Sequence, residues 1–317
     1  MQKALKERFA LVISFVPDLP PRPPRPALPV VTALRLDSPL RGGLLVLGNF
    51  DGFHLGHRAL LATARKIAGA IPLGVMSCEP HPRQFFGNQQ GFRLAGRQSK
   101  LRLLEGLDVD YLYQPQFDAE FAALTPDAFA REILSQALGV STVMAGEDFR
   151  FGKGRAGDLP LLTRLGQHYG FRVQPFADQQ FAGTRVSSTG VRAAIRAGDL
   201  GHAARLLGAP WSVDLIRDDS GGFALDPLLC QPPAGRYILR RPGTDITVTL
   251  DGQGSVAPVP GPVPDPGLRC GLWQISGMDD QRASPVCGAN ISVPVLAPAA
   301  SWRGQPLPLA CENTPPF

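Results

Sequence analysis

Nowhere does this chain carry about 18 consecutive apolar residues, so it offers no segment suited to a membrane-spanning helix. It also lacks any C-x-x-C pair: Cys78, Cys230, Cys270, Cys287 and Cys311 stand at wide, uneven gaps. That spacing is neither a zinc pattern nor a disulfide framework, and a reducing cytoplasm is the expected compartment. Four of the five follow Leu215, which leaves room for one bridge there. Charge is sparse at 19% of residues, and 32 Lys and Arg against 27 Asp and Glu leave a net charge of only +5. The basic residues are scattered arginines without a run or stripe, which argues against a nucleic-acid partner. A secretory signal is not expected either: the short run "FALVISFV" abuts Glu7 and Arg8, and proline and arginine follow where a small-residue cleavage site belongs.

What the chain does have is 44% apolar residues over 317 positions, enough for one large core or two ordinary ones. Residues 1–29 end in the proline-rich stretch Asp18 to Pro29 and read as a disordered leader. From Leu44 to Phe176 apolar runs alternate with helical patterns. Strands are expected in "LLVLGNF", "IPLGVMSC", "VDYLYQ", "VSTVMAG" and "FRVQPF". Between them "HRALLATARKIAG" and "TPDAFAREILSQALG" read as helices, the second with Thr125 as N-cap, Pro126 in the first turn and Gly139 as the stop. Alternation of this kind implies an α/β fold with a parallel sheet covered on both faces. A helical pair follows from Ser187 to Gly208, with Asp199 capping its second member. After Pro210 short strand-like pieces separated by glycine and proline suggest a small antiparallel module, an incomplete barrel with a ragged tail.

The stretch "GNFDGFHLGH" sits where the first strong strand hands over to a helix. In open α/β sheets ligands bind at the carboxyl ends of strands, and a helix starting there aims free amides at phosphate. Gly48 lets the chain turn off the strand, Gly56 leaves space for phosphate, and His54 and His57 flank that gap as donors to an α-phosphate under attack. By itself H-x-G-H more often marks a capping or packed histidine, and its placement between a buried strand and an amphipathic helix is what favours a site.

The extended run resembles the signature of the bacterial FAD synthetases, adenylyltransferases of the H-x-G-H nucleotidyltransferase superfamily. It departs from that signature only in Phe53, where valine is usual. "EPHPRQFF" from Glu79, "AGEDFRFGKGRAGD" from Ala145 and "VSSTGVRAAIRAGDLGHAARLLG" resemble the family's other motifs in the correct order. The resemblance implies a Rossmann-like nucleotidyltransferase domain over 30–210 that makes FAD and diphosphate from FMN and ATP, with Mg²⁺ carried on ATP and no protein metal site. It implies catalytic roles for His54, His57, Asn49, Ser188 and Arg192. It places Gly48, Phe50, Asp51, Gly56, Ser187 and Thr189 at ATP. Pro80, His81, Pro82 and Arg83, with Asp148, Phe149, Arg150 and Phe151, would hold FMN, although core packing explains Phe149 and Phe151 equally well.

Most members continue into a riboflavin kinase barrel recognised by Gly-x-Pro-Thr-Ala-Asn. No Pro-Thr-Ala-Asn follows Trp211 here, so 211–317 reads as a degenerate or replaced kinase module. Two other readings stay open: an H-x-G-H enzyme with a different phosphorylated acceptor, and a non-catalytic flavin- or nucleotide-binding regulator. The sequence leaves the oligomeric state unspecified.

Overall fold

The computed structural model describes residues 27–87, 91–177, 180–181, 184–218, 221–259, 268 and 271–277. The leader before residue 27, Cys270, Cys287, Cys311 and the tail beyond residue 277, with its strand-like piece "ISVPVLA", lie outside the described residues. Six strands form one parallel sheet: β1 (Val30–Val31), β2 (Leu44–Leu47), β3 (Leu73–Met76), β4 (Tyr111–Tyr113), β5 (Thr142–Gly146) and β6 (Arg172–Phe176), in the order β1-β4-β3-β2-β5-β6. Strands β2, β3 and β4 are buried along their whole length, which is why they read as unbroken apolar runs and not as an alternation. The edge strand β1 starts directly after the proline-rich stretch, and the Pro29 carbonyl already accepts from the Leu112 amide.

Helix α1 (Leu55–Ala68) buries Ala59, Leu60, Leu61, Ala64 and Ala68 on one face. Shorter helices α2 (Pro82–Gly87), α3 (Arg97–Glu105) and α4 (Ala119–Ala123) were not distinguished by sequence period. Thr125 caps α5 (Pro126–Ala128) through Oγ1, 3.1 Å from the Ala128 amide, and Gly139 takes φ +56° beyond the far end. Between them the chain departs from the expected α-helix: Phe129–Ala137 is π-helical. Phe129 and Leu134, five residues apart, are both buried, and the wider π turn brings that spacing to one face. Helix α6 (Leu159–Tyr169) precedes β6, and a two-stranded hairpin of β7 (Gln180–Phe181) and β8 (Thr184–Arg185) leads to α7 (Ser188–Arg196) and α8 (Leu200–Leu207).

Beyond α8 the strands β9 (Trp211–Arg217), β10 (Phe223–Leu225), β11 (Gly235–Arg241), β12 (Thr244–Leu250), β13 (Ser255–Pro258) and β14 (Gly271–Gly277) form a closed barrel in the order β10-β13-β12-β11-β14-β9. This corrects the expectation of an incomplete barrel, because β9 pairs with both β10 and β14 and closes the ring. One apolar core holds Val191, Ile195, Leu206 and Leu207 of the helical pair together with Trp211, Val213 and Trp273 of the barrel. Packing is therefore continuous across Pro210.

Gly74 and Tyr111 face each other in the β3–β4 register, and a Cβ on Gly74 would fall 2.2 Å from the tyrosine ring. The Tyr111 hydroxyl is buried with no hydrogen-bond partner among the described residues. Gly74→Ala should therefore destabilise the chain by about 1–3 kcal/mol through overpacking. Tyr111→Phe should leave stability unchanged or raise it, since it removes an unsatisfied buried group. Chemical denaturation of the two variants checks both signs.

Candidate active site

Loops after β2, β3 and β5 emerge at the same carboxyl edge of the sheet, at the point where the strand order reverses around β2. The loop after β2 is held in an unusual backbone shape. Phe50 and Phe53 take φ of +37° and +47°, a region costing roughly 1–2 kcal/mol per residue outside glycine. Their rings stack at 5.7 Å and are almost fully buried, and burying a phenylalanine is worth about 1.5–3 kcal/mol, enough to offset the strain.

This shape delivers His54 to the N-cap of α1. Its Nδ1 accepts from the His57 amide at 3.4 Å, so the single proton of the neutral ring belongs on Nε2. The two imidazoles stack at 3.8 Å, and the Phe50 ring lies 5.0 Å from His57. His57 Nδ1 is buried without a partner among the described residues. Burial, with the nearby Arg192 charge, lowers the His54 pKa from 6.5 to about 4, and burial beside His54 holds His57 well below its ordinary value. Both rings are neutral donors near pH 7.

The start of α7 meets this loop directly. Ser187 caps α7 by accepting from the Gly190 amide at 3.2 Å, and Ser188 Oγ donates to the Asp51 carbonyl at 3.2 Å. Arg192 is buried, pairs with Asp51 at 2.6 Å, donates through Nε to the Phe92 carbonyl at 2.8 Å and stacks on the Phe92 ring at 3.8 Å. Asp51 Oδ1 accepts the Leu94 and Ala95 amides at 2.8 and 3.2 Å. Thr189 is exposed beside them, as is Asn49 on the first loop. A Cβ on Gly56 would sit 3.2 Å from the His54 ring and 3.6 Å from the Val186 carbonyl, so a side chain there would close the gap between the two helix starts. Gly48 likewise leaves room for the Phe50 ring, 2.8 Å from where its Cβ would be.

The loop after β3 joins through Phe92. His81 Nδ1 accepts from the Arg83 amide at 3.1 Å, its ring lies 5.0 Å from Phe92, and the Arg83 guanidinium lies 5.6 Å from the same ring. Burial, together with the cations Lys100, Arg192, Arg93 and Arg83, pushes the His81 pKa down to about 3. Pro80 follows a cis peptide bond, and Pro82 opens α2.

The segment after β5 is reached by a different route. Phe151 is buried against Phe129 at 5.5 Å, Phe149 stacks on it at 5.8 Å, and Arg150 pairs with Asp158 at 3.4 Å while Asp148 is exposed. A chain of rings runs from Phe129 through Phe121 and Phe117 to Phe85 and Phe86 on α2, with successive centroids 5.4–6.3 Å apart. Phe86 is 72% exposed at its end.

Several groups escaped the sequence reading. Arg93 forms a two-point ion pair with Glu79, and buried Lys100 donates to Ser77 Oγ at 3.0 Å, which donates to the Asn49 carbonyl at 3.3 Å. Burial lowers the Lys100 pKa, against the raising influence of Glu79, 3.9 Å away. "GFRLAG" has no period and no motif spacing, so nothing in the sequence marks it as part of a site. No cluster of three or more His, Cys, Asp or Glu suited to a metal occurs among the described residues. Both Asp51 oxygens are already engaged.

An unfolded chain protonates its histidines near pH 6.5, whereas folded His54 and His81 stay neutral down to about 4 and 3. As pH falls below 6.5 the unfolded state binds protons first, so stability should be full above that value and fall progressively towards pH 4. Denaturant titrations across pH 4–7 should show this slope. His54→Asn, which keeps an N-cap acceptor, should flatten it.

The chain resembles known proteins over the segments that build this constellation. The sequence model of the FAD synthetase family matches residues 37–190, which hold the loops after β2, β3 and β5 and the start of α7. The bifunctional riboflavin kinase/FMN adenylyltransferase of Escherichia coli K12 is 40% identical over 206 residues, 63% of this chain and 66% of that protein, so the match spans slightly under two thirds of that relative. The Pseudomonas fluorescens protein of the same name is 41% identical over 224 residues, covering 67% and 70% of the two chains. A FAD synthetase from Listeria monocytogenes is 34% identical over 211 residues, 66% of this chain and 84% of that one. A solved structure described as a macrolide-efflux protein from Streptococcus pneumoniae superposes with TM-score 0.62 at 20% identity, over 78% of this chain and 88% of its own, and that likeness concerns the fold alone. With such identity over most of the Listeria protein, and the family's match covering both helix starts that meet at Asp51, the chain belongs to the FAD synthetase family.

Proposed function

We propose that this chain is an FMN adenylyltransferase: the FMN phosphate attacks the α-phosphorus of ATP in line, giving FAD and diphosphate. The observation that carries the reading is the meeting of two helix N-termini, α1 and α7, through Asp51 and Arg192. Two such termini side by side both aim free amides and a positive dipole end at an anion, which suits a phosphate chain. In this reading His54 and His57 donate to the α-phosphate as charge gathers on it, and Asn49 and Ser188 line its approach. Arg192 and Thr189 face the outer phosphates, with Gly48, Phe50, Asp51, Gly56 and Ser187 shaping the ATP site. No strong base is required, because the FMN phosphate is already anionic near neutral pH. Magnesium arrives on ATP as part of the substrate, in keeping with a loop whose carboxylate is occupied by amides and a guanidinium.

FMN is placed against Pro80, His81, Pro82 and Arg83 on one side and Asp148, Phe149, Arg150 and Phe151 on the other. The exposed rings of Phe85 and Phe86 support a flat aromatic acceptor over a smaller phosphorylated one. The nucleotidyltransferase part is assigned to 30–210 and the kinase-like module to 211–317, without riboflavin kinase activity because Pro-Thr-Ala-Asn is missing.

Purified chain incubated with Mg-ATP should form FAD from FMN and neither FMN nor FAD from riboflavin, as read by flavin chromatography. His57→Ala should lower turnover by about 10²- to 10³-fold with FMN affinity largely kept, the value of one preorganised donor. A twofold loss would remove His57 from the chemistry. Arg192→Lys keeps the charge but loses the fork, and should raise KM for ATP more than it alters FMN affinity.

A further inference from the structure

Residues 226–230, between β10 and β11 of the barrel, grip a segment beside the candidate site. The Gly91 amide donates to the Pro227 carbonyl at 2.9 Å, and the Phe92 and Arg93 amides donate to the Leu228 carbonyl at 3.0 and 2.7 Å. The Cys230 amide donates back to the Arg93 carbonyl at 2.7 Å, completing a parallel bridge between Arg93 and Leu229. From β9, the buried Trp211 Nε1 donates to the Leu94 carbonyl at 2.7 Å. Ser99 Oγ of α3 donates to Asp214 at 2.9 Å, and Gly96 admits that carboxylate, whose Oδ2 lies 2.0 Å from where a Cβ would be.

The gripped segment, Gly91–Ala95, is the one that Asp51 and Arg192 depend on. Its Leu94 and Ala95 amides hold Asp51, its Phe92 carbonyl and ring hold Arg192, and its Arg93 holds Glu79. The Gly91, Phe92 and Arg93 amides and the Arg93 and Leu94 carbonyls thus bond to the barrel side, while the Leu94 and Ala95 amides and the Phe92 carbonyl bond to Asp51 and Arg192.

We propose that Trp211 and Pro227–Cys230 are positioning residues for adenylyl transfer: the barrel clamps Gly91–Ala95, and the clamped segment sets the Asp51–Arg192 pair at the triphosphate site. This inference rests on the reaction assigned under Proposed function. It gives the barrel a task in that reaction without any kinase activity of its own.

The test uses the full chain with Trp211→Phe, which removes the donor to Leu94, and Val213→Ala as a control in the same strand and the same core. Both variants should melt at lower temperature than the parent. Assayed below both melting points, Val213→Ala should keep the parent's kcat and KM. Trp211→Phe should lose about ten- to hundredfold in kcat/KM for ATP, the scale of a small misplacement in a positioned site. Should Trp211→Phe fail to fold, site-specific replacement of Trp211 by benzothienylalanine, which keeps the ring's shape and lacks only the N–H donor, decides the matter. Kinetics equal to the parent in a folded donor-less variant, or an equal loss in Val213→Ala, would overturn the clamp while leaving the reaction assignment intact. A parent chain that forms no FAD from FMN and Mg-ATP would overturn both.

Discussion

The buried ion pair between Asp51 and Arg192 is the constraint on which the site turns. Both side chains are almost wholly removed from water, and neither is left with an uncompensated charge: the carboxylate accepts two amides and a guanidinium, and the guanidinium donates to a carbonyl and lies over the Phe92 ring. Removing one partner of such a pair typically costs about 3–5 kcal/mol, because the other charge stays buried alone. The pair therefore fixes three segments distant in sequence: the loop after β2, the stretch Gly91–Ala95, and the first turns of α7.

Around that pair the electrostatics divide into two kinds. The imidazoles of His54, His57 and His81 are driven neutral by burial, with nearby cations adding to it at His54 and His81 and the neighbouring His54 ring at His57. Arg93 and Lys100 share the single carboxylate of Glu79, which leaves positive charge in excess beneath the loop. A polyanion entering here meets fixed cations and neutral donors without first displacing a proton.

Much of this is legible in the sequence. Buried parallel strands write themselves as apolar runs, and helix starts as Thr125-Pro126, Ser187-Ser188 or Asp199, because capping is local chemistry. H-x-G-H and its companions are contiguous and so survive as patterns. Phe92, Arg93, Lys100 and Trp211 were not legible, since their importance lies in partners up to 117 residues away in sequence, as Trp211 and Leu94 show. The π-helical run also stayed hidden: an i, i+5 pair such as Phe129 and Leu134 is indistinguishable on paper from an imperfect α-helical face. Barrel closure depends on β9 finding both β10 and β14, a pairing that no strand's own residues declare.

The continuous core across Pro210 bears on how the molecule comes apart. Val191 and Leu207 pack in the same apolar cluster as Val213 and Trp273, so neither the helical pair nor the barrel can melt without exposing the other's buried surface. Cooperativity in small proteins arises from shared surfaces of this sort. Heat or denaturant then meets the helical pair and the barrel as one unfolding unit, so the helix that carries Arg192 persists only as long as the barrel does.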